Sequence, residues 1–126
     1  MTKQIISTDN APAAIGPYSQ AVITGSLLFT SGQLPIDPAT GKIPETDVED
    51  HAHIVFKNLS AIAKAAGTSL DNAVKTTIFL SDIGNFAAVN AVYAQYFNEP
   101  FPARSAFQVA ALPLGADIEV EAIFEL

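Results

Sequence analysis

The chain has 126 residues, 49% of them apolar and 15% charged, with a net charge of −7 and no cysteine. The lack of cysteine excludes disulfides, cysteine-ligated metals and thiol nucleophiles. Six basic residues, scattered and outnumbered by thirteen acidic ones, do not supply the clustered positive charge that a phosphate backbone requires.

No run of about 18 apolar residues marks a membrane span. "MTKQIISTDN" lacks the apolar core of a secretory signal, so a cytoplasmic location is expected. The mean hydropathy is +0.30. A chain this small leaves much of its surface exposed as a monomer. Part of the apolar excess is therefore expected in a subunit interface.

In chain order, "KQIIST" reads as a short strand and "NAPAAIGPYSQ" as a loop punctuated by Pro12, Gly16 and Pro17. "QAVITGSLLFTSGQ" reads as a hairpin turning at Thr24-Gly25-Ser26. After the loop "PIDPATGKIPET", Thr46 and Glu49 form a capping box, with Asp47 and Asp50 adding acid to the first helical turn. Val48, Ala52, Val55, Leu59, Ile62 and Ala66 then recur as one helical stripe, and Gly67 supplies a left-handed terminus. "NAVKTTIFLSD" is the next strand. A second helix is expected from about Ile83 to Asn98, with Phe86, Val89, Tyr93 and Phe97 on one side, stopped by Pro100 and Pro102.

"ARSAFQVAAL" and "DIEVEAIFEL" are the last two strands. In the latter, Ile118, Val120, Ala122, Phe124 and Leu126 share a face expected to pack on the helices. Asp117, Glu119, Glu121 and Glu125 share the other. The whole chain, 1–126, reads as one α+β domain: about six strands, two helices on one face, and a bare face suited to a trimer or dimer contact.

Arg104 is the only arginine. On its strand it shares a face with Ala106, Gln108 and Ala110, which leave room for a ligand. A guanidinium can grip a carboxylate through two parallel hydrogen bonds, or it can form a structural ion pair. Glu119 and Glu121 read either as catalytic carboxylates or as a solvated strand face. Were the last two strands a simple hairpin about Leu114, Arg104 would lie near Glu125 and roughly 20 Å from the position opposite Glu119. A pocket holding both then needs a crossed connection or two subunits.

His51 and His53 point in different directions from one helix, make a poor metal pair and read as surface residues. Ser31 lacks a nucleophile-elbow sequence. Gly32 reads as a turn or as a place where a ligand meets backbone. Tyr18 can cover a pocket or merely pack. Asn90, on the second helix, is ambiguous alone.

Four stretches, in order along essentially the whole chain, resemble the RidA/YjgF family. They are "APAAIGPYSQA" (11–21), "FTSGQLPIDPATG" (29–41), "VKTTIFLSDIGNFAAVNAVY" (74–93) and "PARSAFQVAALPLGADIEVEA" (102–122). The resemblance implies a chorismate-mutase-like mixed sheet, a homotrimer, and sites in the clefts between subunits. It implies hydrolysis of 2-imino acids, and of the enamines in equilibrium with them, to 2-keto acids and ammonia, with no metal and no cofactor. Arg104 would then grip the substrate carboxylate, and Glu119 would handle the attacking water or the departing ammonia. The Gly32 carbonyl would help hold that water or the imino nitrogen. Tyr18, Ser31 and Asn90 would line the pocket, with Phe86 and Phe107 as apolar walls.

Where many relatives carry cysteine two residues after the arginine, this chain has Ala106, so thiol-dependent activity is not expected. The family also includes members described as ribonucleases or translation inhibitors. A non-catalytic binder of small carboxylates, or a chaperone, is the remaining alternative.

Overall fold

The computed structural model describes residues 2–126. Six strands form a single mixed sheet: β1 (Gln4–Ile6), β2 (Ala21–Thr24), β3 (Leu27–Thr30), β4 (Ala73–Leu80), β5 (Ala103–Gln108) and β6 (Ile118–Glu125). Their order across the sheet is β1-β2-β3-β6-β4-β5, and only the β4–β5 pair is parallel. Helix α1 (Val48–Ala65) connects β3 to β4, and helix α2 (Phe86–Tyr93) connects β4 to β5. Both pack on one face of the sheet, as the alternation in β6 requires: Ile118, Val120, Ala122 and Phe124 are buried against them.

The α1 stripe is buried at Ala52, Val55, Leu59 and Ile62, joined by Phe56 and Ala63. The helix ends in a Schellman motif. Gly67 adopts φ 84°, its amide donates to the Lys64 carbonyl (3.0 Å) and the Thr68 amide donates to the Ala63 carbonyl (2.9 Å).

Several local expectations are corrected. The α1 cap is Asp47, not Thr46: the Asp47 carboxylate accepts from the Asp50 amide at 2.9 Å. Both residues are competent caps, and the charged one, nearer the positive helix end, takes the role. The second helix is shorter than expected. A 3₁₀ turn (Ile83–Asn85) precedes α2, and after Tyr93 the chain tightens into turns, with the Tyr96 amide donating to the Tyr93 carbonyl. Leu126 lies beyond β6 and is exposed.

His51 is a core residue rather than a surface one, only 7% exposed. One ring nitrogen meets both carboxylate oxygens of Asp117 (2.8 and 2.9 Å), and the other meets the Pro44 carbonyl oxygen (2.7 Å). Burial pulls its pKa down. The Pro44 carbonyl and the Asp117 carboxylate outweigh that and hold the pKa above its ordinary value. Protonated His51 therefore donates from both nitrogens and ties the loop before α1 to the start of β6.

The last two strands do not form a hairpin. β4 lies between β5 and β6, and Leu114, in the connecting 3₁₀ turn (Pro113–Gly115), sits at φ 59°. Crossed connections therefore set the relation of Arg104 to Glu119.

Candidate functional site

Strand register places the two charged candidates apart. Arg104 pairs with Thr76, which is fully buried on the helix-bearing face. Glu119 pairs with Phe79 on the helix-free face, and Phe79 in turn pairs with Phe107. The two residues are separated by two strand spacings and by three positions along the strand, about 10 Å in each direction, and their side chains leave opposite faces. Each sits in its own half-site.

The first half-site is built on α2 and β5. Phe86, Asn90 and Tyr93, spaced four and three residues apart on α2, face the guanidinium. The Arg104 Cζ lies 4.7 Å from the Tyr93 ring centroid and 5.2 Å from that of Phe86. One guanidinium nitrogen donates to the Asn90 side-chain oxygen at 2.7 Å. Arg104 makes no salt bridge among the described residues, where His51–Asp117 is the only one. The structural ion pair is therefore not its role within the chain. The guanidinium borders an open cleft of about 430 Å³ whose lining includes Tyr93, Phe101 and Pro102.

The second half-site lies where the loop after β3 crosses the start of β6. Gln33 and Val120 exchange backbone hydrogen bonds of 2.8 and 3.1 Å, which sets Gly32 beside Glu119. The approach is so close that a Cβ on Gly32 would overlap the Glu119 carboxylate and stand 2.7 Å from its Cδ, so only glycine fits while Glu119 stays in place. Glu119 is half-buried. Burial first, and the neighbouring Glu121 charge second, raise its pKa above the ordinary carboxylate value.

A cleft of about 500 Å³ opens in front of Glu119, lined among others by Tyr18, Ser31, Gly32, Leu34, Ile36 and Leu114. The Ser31 hydroxyl donates to the Ser19 carbonyl at 2.6 Å, and the Tyr18 hydroxyl accepts from the Ile15 amide at 3.2 Å.

Of the residues expected at the site, Tyr18, Ser31, Gly32 and Glu119 are brought together in one half-site, and Arg104, Asn90 and Phe86 in the other. Phe107 joins neither cleft's lining. It packs edge-on against Phe79 at 5.2 Å on the helix-free face, because the odd spacing from Arg104 turns it to the other side of β5.

The sequence model of the family described as Endoribonuclease L-PSP matches residues 8–126. The chain belongs to this family, the RidA/YjgF family. It is 54% identical over 121 residues, 96% of each chain, to RutC family protein y4sK of Sinorhizobium fredii. It is 52% identical over 123 residues to a goat (Capra hircus) protein named 2-iminobutanoate/2-iminopropanoate deaminase, covering 98% of this chain and 90% of that one. The crystal structure of Escherichia coli TdcF with bound serine superposes with a TM-score of 0.92 at 45% identity, covering 98% of both chains.

In this RidA/YjgF chain, two buried polar side chains to which the sequence assigned no role shape the half-sites. The Gln20 side chain accepts from the Thr8 amide (2.7 Å) and donates to the Pro12 carbonyl (2.7 Å), folding the loop that carries Tyr18. Asn58 of α1 donates to the Leu34 and Ile36 carbonyls at 3.4 and 3.0 Å, fixing two lining residues of the Glu119 cleft. In the sequence each stands beside another polar residue, Ser19 or Lys57, with nothing to mark it, and their partners lie 8 to 24 positions away. Among the described residues no cluster of three or more His, Asp or Glu could hold a metal ion.

Proposed function

We propose that this chain hydrolyses 2-imino acids to 2-keto acids and ammonia, at sites where the Arg104 half-site of one copy faces the Glu119 half-site of another. The observation that carries this reading is the partly desolvated Glu119 carboxylate, seated against Gly32 in a cleft with Tyr18 and Ser31. A carboxyl with a raised pKa can accept a proton and return it nearer neutral pH than an ordinary one. Relatives named as imine deaminases support the substrate class.

The sharing of sites is supported by the helix-free face. Register lines up Ile5, Val22, Phe29 and Ile123 across four strands, and Ile5 and Phe29 are exposed there. An apolar row of this extent is better covered than left in water. A homotrimer, as the family resemblance implies, would cover it and bring half-sites of neighbouring copies together.

The chemistry follows from the groups. Arg104 pairs with the substrate carboxylate through its free donors. Glu119 accepts a proton from a water whose oxygen bonds to the electrophilic imino carbon. It then returns that proton to the nitrogen of the tetrahedral adduct. The hydroxyl then gives its own proton to the Glu119 carboxylate and becomes the ketone oxygen as the carbon–nitrogen bond of the protonated amine breaks, and ammonia departs. Fixing the carboxylate and the water supplies proximity, which can be a large share of such a barrier.

The test is a threonine or serine dehydratase reaction under conditions where imine hydrolysis limits keto-acid release. Adding the protein accelerates release, and Arg104→Ala removes the acceleration. An unaccelerated reaction refutes the activity. The family's own description gives a second reading, an endoribonuclease. Six scattered basic residues against thirteen acidic ones speak against it. RNA cleavage that copurifies with the protein and falls with Glu119→Gln would reverse that judgement.

A further inference from the structure

Tyr93 is a residue that the motifs leave without a role, and its surroundings single it out. It is 5% exposed. Its ring stacks on Phe97 at 4.2 Å and 21° and meets Phe56 edge-on at 5.6 Å. Its hydroxyl lies 2.9 Å from that of Thr76, the β4 residue paired with Arg104. The opposite face of the ring carries the guanidinium. Phe97, Tyr93 and Arg104 thus form a stack anchored in the core at one end and open to a cleft at the other.

We infer that Tyr93 is a positioning residue, which presents the Arg104 guanidinium edge-on to the carboxylate of the substrate. A guanidinium is weakly hydrated on its faces and donates hydrogen bonds only along its edge. The Arg104 Cζ lies over the rings of both Tyr93 and Phe86, and Asn90 takes one edge donor. Of the five donors of an arginine, enough stay free for a two-point grip on a carboxylate. Without the ring, an exposed arginine on an edge strand samples many rotamers, and ordering it on binding costs affinity. The Thr76 hydroxyl holds the ring to the strand that also sets the Arg104 backbone, so the two partners share one frame.

This inference rests on the proposed role of Arg104 as carboxylate anchor, but its test does not need turnover. Arg104 is the only arginine of these 126 residues, so a ¹⁵N-labelled chain of this sequence gives one arginine Nε–Hε resonance. In the wild type the Arg104 side-chain protons are expected upfield of those of free arginine, through the ring currents, with nuclear Overhauser contacts to the Tyr93 ring. Tyr93→Phe keeps the ring face. It should keep that shift and bind 2-oxobutanoate within about twofold of wild type. Tyr93→Leu removes the face. Its Arg104 resonance should move toward the free-arginine position and its 2-oxobutanoate affinity should fall about 3- to 30-fold, the range of a cation–π contact.

A folded Tyr93→Leu chain with the wild-type resonance and wild-type affinity overturns the inference, as does equal loss in Tyr93→Phe. If Tyr93→Leu does not fold, the wild-type spectrum decides: absent ring-current shifts and absent contacts to Tyr93 overturn it. A wild type that shows the stack and binds the keto acid, yet leaves imine lifetimes unchanged, supports Tyr93 as a positioning residue and refutes only the hydrolytic reading.

Discussion

Replacing Gly32 by alanine tests the contact on which the Glu119 half-site depends. The added Cβ would overlap the Glu119 carboxylate and stand 2.7 Å from Cδ and 3.0 Å from Cγ, so the whole end of that side chain must swing away. Overpacking a rigid core costs about 1–3 kcal/mol. Here the obstacle is the far end of a flexible side chain at the rim of a cleft, so we expect the low end, ~1 kcal/mol, in stability. The larger loss falls on catalysis: a displacement of about 1 Å at a reacting group can cost roughly 100-fold in rate, or ~2.7 kcal/mol.

A double-mutant cycle isolates the contact. In a Glu119→Ala background the carboxylate is gone. Gly32 has no left-handed backbone requirement, so Gly32→Ala should then be neutral or stabilising by ~0.4–1 kcal/mol through the unfolded chain. Urea denaturation of the four proteins measures the stability cycle, and imine hydrolysis of Gly32→Ala measures the rate. Wild-type activity in Gly32→Ala, or the same stability cost in both backgrounds, would show that the Gly32–Glu119 contact does not hold the carboxylate in place.

Other outcomes follow from the same geometry. Arg104→Lys keeps the charge but loses the planar fork, so binding of 2-oxobutanoate by titration calorimetry should weaken by ~1.5–3 kcal/mol. Arg104 is exposed, so stability should change by no more than about 0.5 kcal/mol. Glu121 raises the Glu119 pKa, so Glu121→Gln should move the acidic limb of the pH–rate profile to lower pH; an unmoved limb would detach Glu119 from that ionisation. His51 has a raised pKa in the folded chain. Its contribution to stability is full below the unfolded value of about 6.5 and is lost as pH rises through the folded pKa. Denaturation midpoints from pH 6 upward should therefore fall with a His51 component that Asp117→Asn diminishes.

The alternation of β6 and the stripe of α1 could be read from the sequence because each is local: period two and period 3.6 report which side of an element is buried. Strand order could not. Inserting β6 between β3 and β4 is a long-range choice, and with it went the distance between Arg104 and Glu119. His51 was misplaced for a related reason. Its partner Asp117 lies 66 residues away, and a histidine that follows the acidic pair Glu49-Asp50 looks solvated until that contact is known. At the site, residue chemistry alone left Arg104 between an ion pair and an anion clamp, and the motif resemblance supplied the preference. Tyr93 looked like one more core aromatic, since only its placement beneath Arg104 distinguishes it.

The shared site is tested most directly by complementation. Arg104→Ala and Glu119→Gln chains, each inactive alone, are mixed as unfolded chains in equal amounts, refolded together and assayed for imine hydrolysis. If each site takes Arg104 from one copy and Glu119 from another, random assembly regenerates roughly one quarter of the wild-type sites, and activity returns to about that level. If both residues serve a site within one chain, no mixed assembly contains an intact site. Activity that stays at the level of the separate variants would contradict the shared site.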